Sequence, residues 1–219
     1  MALPLRFGIL APQVVPYEVQ KQRWHELEEY GFDSLWFADH FVNPGMPSGR
    51  WFEAYTMMAA AAAQTERIRV GALVTSITFR HPALFAKEAL TLDHISAGRL
   101  ELAIGSAGSP YDVEMEGLED WSRGERTKRF IEFVEMIDTM LTNDPASYDG
   151  KYYSAHEAVM NPGPVQKPRP PLTVAAHGPI TMKFAARVAD SWNQVAGGLG
   201  IVGEALPQGA AECWDRVRT

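Results

Sequence analysis

Ser34-Leu35-Trp36-Phe37-Ala38-Asp39-His40 decides the architecture. An apolar run of strand length stops at an ionisable pair, so this stretch reads as a strand that delivers polar chemistry at its carboxyl end. Working back, Gly31 sits where a helix over 18–30 ends, with Trp24, Leu27 and Glu28 at helical spacing. Before that helix, Leu5 to Leu10 reads as a first buried strand closed by Pro12. Working forward, 42–50 is a loop holding two prolines and two glycines, and 52–65 is an Ala- and Met-rich helix. Ile68, Val70, Ala72 and Val74 form a third strand. Pro82 opens the next helix, which Gly98 ends. Leu100, Leu102 and Ile104 make a fourth strand that runs into Gly105-Ser106-Ala107-Gly108.

The strongest helical signal spans 123–141, where Phe130, Phe133, Val134, Ile137 and Leu141 share one face. The six prolines of 143–171 mark an ordered insertion, since Tyr148, Tyr152, Tyr153 and Val159 give it something to bury. The specificity loops are expected at 42–50 and 110–122. A fifth strand is expected over 172–176, a helix over 180–189, a sixth strand over 191–196 ending in Gly197-Gly198, and a last helix over 208–217. Most strand starts follow one another at steps of about 30 residues, the length of a strand-helix-strand unit. Such alternation gives a parallel sheet, open or closed into a barrel, whose ligands lie at the carboxyl ends of the strands. Asp39-His40, Thr75-Ser76, Gly105 to Gly108 and His177-Gly178 all fall at those ends.

Composition narrows the field. Of 219 residues 46% are hydrophobic and 21% charged, which excludes a disordered chain and suits a single domain over 1–219. The formal charge of −7, without a basic tract, gives no electrostatic footprint for nucleic acid. Cys213 is the only cysteine, which excludes an internal disulfide and a thiolate zinc cluster. The apolar run 57–63 is too short to cross a membrane and no secretory signal opens the chain, so the expected compartment is the cytoplasm.

Side-chain chemistry then selects candidates. An imidazole titrates near neutrality, which suits His40 to proton transfer, with Asp39 orienting it or contacting a ligand; the plain alternative is a loop cap beside a solvated histidine. Gly105-Ser106-Ala107-Gly108 and Ala176-His177-Gly178-Pro179 are small enough to bring backbone N–H groups against a phosphate. Arg80-His81 suits a phosphate contact or helix capping. Trp51, Phe52 and Tyr55 suit a substrate mouth or core packing, and Glu125-Arg126 to Lys128-Arg129 reads as the solvated side of a helix. His25, His94 and His156 are scattered, so no metal site is expected. No G-x-G-x-x-G follows the first strand, which argues against an open-sheet dinucleotide binder.

Five stretches, taken in order and spacing, carry a family resemblance: 30–41 (YGFDSLWFADHF), 65–75 (TERIRVGALVT), Arg80-His81-Pro82, 92–102 (LDHISAGRLEL), and Pro170-Pro171-Leu172 leading to 186–193 (ARVADSWN). The sequence resembles the luciferase-like monooxygenases, oxidoreductases that use reduced FMN or the deazaflavin coenzyme F-420 in a TIM-type (β/α)8 barrel. The resemblance implies such an enzyme acting on a small organic substrate, with His40 near the reactive part of the coenzyme ring. It implies a non-proline cis peptide within Leu73-Val74-Thr75-Ser76, backing that ring. It also implies a phosphate cradle at Ala176-His177-Gly178-Pro179, where His177 replaces a glycine and either donates to the phosphate or blocks its approach. Ser109 stands near the place where sugar-phosphate-oxidising relatives carry a glutamate. Relatives commonly pair, so a homodimer is allowed. Six strand-helix units stand where the family has eight, and 198–219 is an atypical tail. The barrel is therefore expected to be incomplete and to fold marginally or with a partner. A non-catalytic barrel remnant is the alternative.

Overall fold

The computed structural model describes residues 5–106 and 109–194. Ala107, Gly108, the end of the expected sixth strand, the tail with the helix expected over 208–217, and Cys213 lie outside the described residues. In chain order the elements are β1 (Gly8–Leu10), α1 (Tyr17–Glu29), β2 (Ser34–Phe37), α2 (Ala54–Gln64), β3 (Arg69–Ala72), β4 (Thr75–Ser76), α3 (Pro82–Ile95) and β5 (Leu100–Gly105). There follow α4 (Pro110–Glu116), α5 (Arg123–Thr142), β6 (Ala146–Asp149), β7 (Ser154–Ala158), β8 (Leu172–Ala175), α6 (Pro179–Val188) and β9 (Ser191–Asn193).

The main sheet runs β1-β2-β3-β5-β8-β9, every pair parallel, with helices packed against it. It forms the wall of an α/β barrel, of which the described residues supply six strand positions. At the β1 end of this wall Leu5, Phe7 and Leu10 are exposed, whereas β5 is buried along its whole length. The alternation of Ile68, Val70, Ala72 and Val74 reads as one strand, whereas the resemblance implies a non-proline cis peptide within Leu73-Val74-Thr75-Ser76. The strand divides there: β3 stops at Ala72, the Leu73–Val74 peptide is cis, within the stretch the resemblance named, and β4 resumes the pairing against Ile104 and Gly105.

Local chemistry explains the helix limits. Glu53 accepts the Tyr55 and Thr56 amides to cap α2, His81 accepts the Ala83 amide ahead of Pro82, and Ser122 accepts the Glu125 amide to start α5. Gly31 and Gly98 leave their helices at φ of 82° and 81°, where a side chain is disfavoured. The apolar face foreseen on α5 is buried in full and is joined by Met136 and Met140. It packs against α3, where Phe85 and Phe133 stack at 5.6 Å.

Two polar devices fix the strands without touching the rim. At the amino ends, the buried Glu101 carboxylate is 2.5 Å from Arg69 Nε and 2.9 Å from an Arg6 guanidinium nitrogen. Nearer the carboxyl ends, the buried Gln13 carboxamide donates to the carbonyls of Ala38 and Phe52 and accepts the Ala38 amide. The stretch 143–171 holds a hairpin the sequence did not reveal, β6 pairing antiparallel with β7, and Val159, expected to be buried, is exposed. Glu132 on α5 accepts the Tyr152 and Tyr153 amides and so ties the hairpin to the barrel. Among the described helices none is long and apolar enough to cross a membrane.

Candidate active site

The carboxyl ends of β2, β4, β5 and β8 converge on a cavity of about 270 Å³. Asp39 and His40 enter it from β2, Leu73, Val74 and Ser76 from the β3–β4 break, Gly105 and Ser106 from β5, and Ala175 and His177 from β8. Sequence expectation thus placed most of the candidate residues around one space. Ala176, Gly178 and Pro179 line only an adjoining cavity, and Thr75 lines neither. It is buried beneath the rim, its hydroxyl 2.6 Å from that of Tyr55, and it does not line the cavity.

Asp39 does not orient His40. Both residues line the cavity, but no hydrogen bond joins their side chains, and each is held by a different partner. The Asp39 carboxylate accepts the Ser76 amide at 2.9 Å and two Arg80 nitrogens at 2.7 and 3.2 Å. Arg80 also lies over the Tyr55 ring, 4.5 Å from its centre. Burial works against the guanidinium charge, but the hydrogen bonds and attraction of Asp39 outweigh it and raise the Arg80 pKa. Arg80 is therefore a structural strut beneath the rim. His81 caps α3, and Tyr55 belongs to the core.

The residue that holds His40 is Asp112, and sequence reading missed it. The stretch 110–122 was read as a loop, yet it contains α4, and α4 points Asp112 into the cavity. Asp112 Oδ2 is 2.7 Å from His40 Nδ1, while its Oδ1 accepts the Phe41 amide at 2.9 Å. Trp51 donates its indole N–H to the His40 carbonyl at 2.7 Å, so it braces the turn. With Nδ1 engaged, Nε2 has no protein partner among the described residues. It accepts a proton when the ring is neutral and donates one when the ring is charged. One turn further along α4, burial and the nearby Asp112 and Asp39 charges raise the Glu116 pKa.

A second cavity of about 430 Å³ shares Ser106, Ala175 and His177 with the first. It continues over Ala176, Gly178 and Pro179 to Arg123, Arg126 and Thr127 of α5. Arg126 was read as part of a solvated face. Its guanidinium is 2.6 Å from Asp120, and the first turn of α5 stands beside the start of α6. The Arg129 guanidinium lies 4.4 Å from the ring centres of both Trp121 and Tyr152, which steadies that turn. The joined space is apolar-backed by Leu73 and Val74 at one end and cationic at the other. A β-carbon at Gly105 would run into Val74 Cγ2, so only glycine lets the Val74 side chain take its place. Among the described residues no group of three His, Cys, Asp or Glu side chains could hold a metal ion.

A parallel barrel wall with its candidate site at the strand ends defines an α/β-barrel protein of TIM type. Residues 5–212 match the luciferase-like monooxygenase family, and the chain belongs to that family. It is 33% identical over 166 residues to the F420-dependent glucose-6-phosphate dehydrogenase of Amycolatopsis mediterranei (strain U-32), covering 75% of this chain and 49% of the relative. Among solved structures, monooxygenase RslO1 from Streptomyces bottropensis superposes with a TM-score of 0.74 at 28% identity, over 84% of this chain and 57% of that one. An F420-dependent secondary alcohol dehydrogenase in complex with an F420–acetone adduct gives a TM-score of 0.78 at 25% identity, over 87% and 58% of the two chains. The chain spans about half the length of the curated relative described here.

Proposed function

We propose that this chain carries the coenzyme and proton-transfer site of an oxidoreductase that uses the deazaflavin coenzyme F-420 to move a hydride to or from a small organic substrate. The carrying observation is the convergence of four strand ends on one cavity in which His40 is anchored by Asp112 and offers Nε2. The names of the dehydrogenase relatives support the choice of coenzyme.

The residues present fit such a coenzyme. Leu73 and Val74 offer an apolar wall for a flat ring. Ser106, the Gly178-Pro179 turn, Arg123 and Arg126 offer hydrogen-bond donors and positive charge for a phosphate. When bound, the deazaflavin supplies the hydride donor or acceptor. His40 Nε2 takes the proton of a substrate hydroxyl in the oxidising direction and returns it to a carbonyl oxygen in the other. Asp112 fixes the ring and stabilises its charged form, while Asp39 and Arg80 hold Ser76 in place. The reading extends to a small alcohol or carbonyl compound rather than to a sugar phosphate, because Ser109 stands near the expected glutamate.

A second reading, oxygen chemistry with reduced FMN, is favoured by the likeness to a monooxygenase. Titration of the protein with F-420 and with FMN, followed by absorbance and fluorescence, separates the two. Saturable F-420 binding with weak or absent FMN binding is the expected result. Preference for FMN overturns the first reading, and failure to bind either leaves a non-catalytic barrel remnant.

A further inference from the structure

His177 stands where the two cavities meet. It shares the first with Asp39, His40 and Asp112, and the second with Arg123 and Arg126. Most ionisable side chains of this rim are engaged: Asp39 with Arg80, His40 with Asp112, and Arg126 with Asp120. His177 is exposed and makes no hydrogen bond or ion pair with the described residues. Among the described residues this imidazole is thus uncommitted, and it stands at the junction of a ring-sized cavity and a cationic one.

We propose that His177 makes the capture of a phosphate-bearing ligand depend on pH, strengthening it when the imidazole is charged and relaxing it when the imidazole is neutral. The inference rests on the coenzyme reading above and adds a regulatory property to the same site. Arg123 and Arg126 keep their charge at every physiological pH, so their pull on an anion is constant. Histidine is the side chain that ordinarily changes charge between about pH 5 and 8. A charge-assisted hydrogen bond to a phosphate is roughly twice as strong as a neutral one. The sign follows directly: affinity rises as pH falls, and by linkage the bound anion favours proton uptake by the site. The other titratable groups facing the junction are His40, Asp112 and Asp39. Each has a protein partner, Asp112 for His40 and Arg80 for Asp39, and each is retained in the variants at His177.

Fluorescence titration with F-420 between pH 5.5 and 8.5 tests this in the wild type, His177→Asn and His177→Gly. F-420 is the cleaner probe, because its phosphate is a diester, whereas the FMN monoester gains a second charge near pH 6. Ring ionisation of the coenzyme and titration of His40 are common to all three proteins and cancel in the ratio of affinities. The expected ratio of wild type to His177→Asn is about tenfold at the acid end, falling towards one at the alkaline end. His177→Gly is expected to follow His177→Asn. A ratio that stays constant across the range overturns the inference while leaving the coenzyme reading standing. Absence of binding by F-420 and FMN at every pH overturns both.

Discussion

Asp112 and His40 meet at 2.7 Å although 72 positions separate them, one carried on α4 and the other at the end of β2. The same carboxylate also takes the Phe41 amide, so the turn and the ring are held by one group. His40→Ala is expected to lower turnover by about a hundredfold or more, the usual contribution of a general acid or base, with coenzyme affinity changed less than about threefold. Asp112→Asn is expected to lose at least about tenfold in kcat, because the amide neither fixes the same tautomer nor supports the charged ring. Steady-state kinetics beside coenzyme titration check both, and an unchanged rate in His40→Ala removes His40 from the chemistry.

The strut below the rim carries stability. The side chains of Arg80 and Asp39 are 9% and 2% exposed, and Arg80 is the only cation paired with Asp39 among the described residues, so removing Arg80 strands the carboxylate away from water. Arg80→Met is expected to destabilise the fold by about 3–5 kcal/mol in urea unfolding. The double variant Arg80→Met/Asp39→Asn is expected to recover part of that loss. Additive losses would show that the two residues act independently.

Two buried glycines separate folding from binding. At Gly71 a β-carbon would sit 2.5 Å from the Trp36 ring and 2.7 Å from the Glu101 carbonyl, deep between strands. Gly71→Ala is expected to cost about 1–3 kcal/mol from overpacking alone. Gly105→Ala pushes instead on Val74, which lines the cavity, so its larger effect is expected on coenzyme affinity. Paired melts and titrations of the two variants distinguish these outcomes.

Acid sensitivity has identifiable sources. Burial alone would raise the Glu28 pKa, but the amides of Glu66, Arg67 and Ile68 all donate to its carboxylate and lower it. Asp190 is lowered likewise: the Leu172 amide and Arg169 outweigh its burial. A carboxylate lowered in the folded state stabilises above its unfolded pKa, about 4 for these groups, and that contribution disappears as pH falls through the folded value. The stability gap between wild type and Glu28→Gln is therefore expected to be constant near neutrality and to shrink below about pH 4. Thermal melts from pH 7 to pH 3 measure it.

The repeating strands and the long face of α5 were legible because period and length repeat over many residues. Strand ends were legible too, since Asp39-His40 and the glycine-rich turns interrupt apolar runs. Asp112 was not, because α4 spans only seven residues between Pro110 and Gly117, too few for a period to show. Adjacency in sequence suggested that Asp39 serves His40, but the fold gives Asp39 to Ser76 and Arg80 and His40 to Asp112. Arg126 was hidden for a different reason. A charged residue on a helix looks solvated until the tertiary fold brings another helix start beside it. The hairpin β6–β7 escaped because its strands lack a sustained alternation of apolar and polar residues, as SAHEA in β7 shows.

Gln13 stands in for a rung of the sheet. The main-chain ladder ends with the Ala11 amide on the Trp36 carbonyl, and beyond it one carboxamide gives and takes at Ala38 and reaches Phe52 besides. The level at which Asp39 and His40 emerge is thereby held by a side chain, a single point at which substitution would shift the reacting groups without breaking a strand.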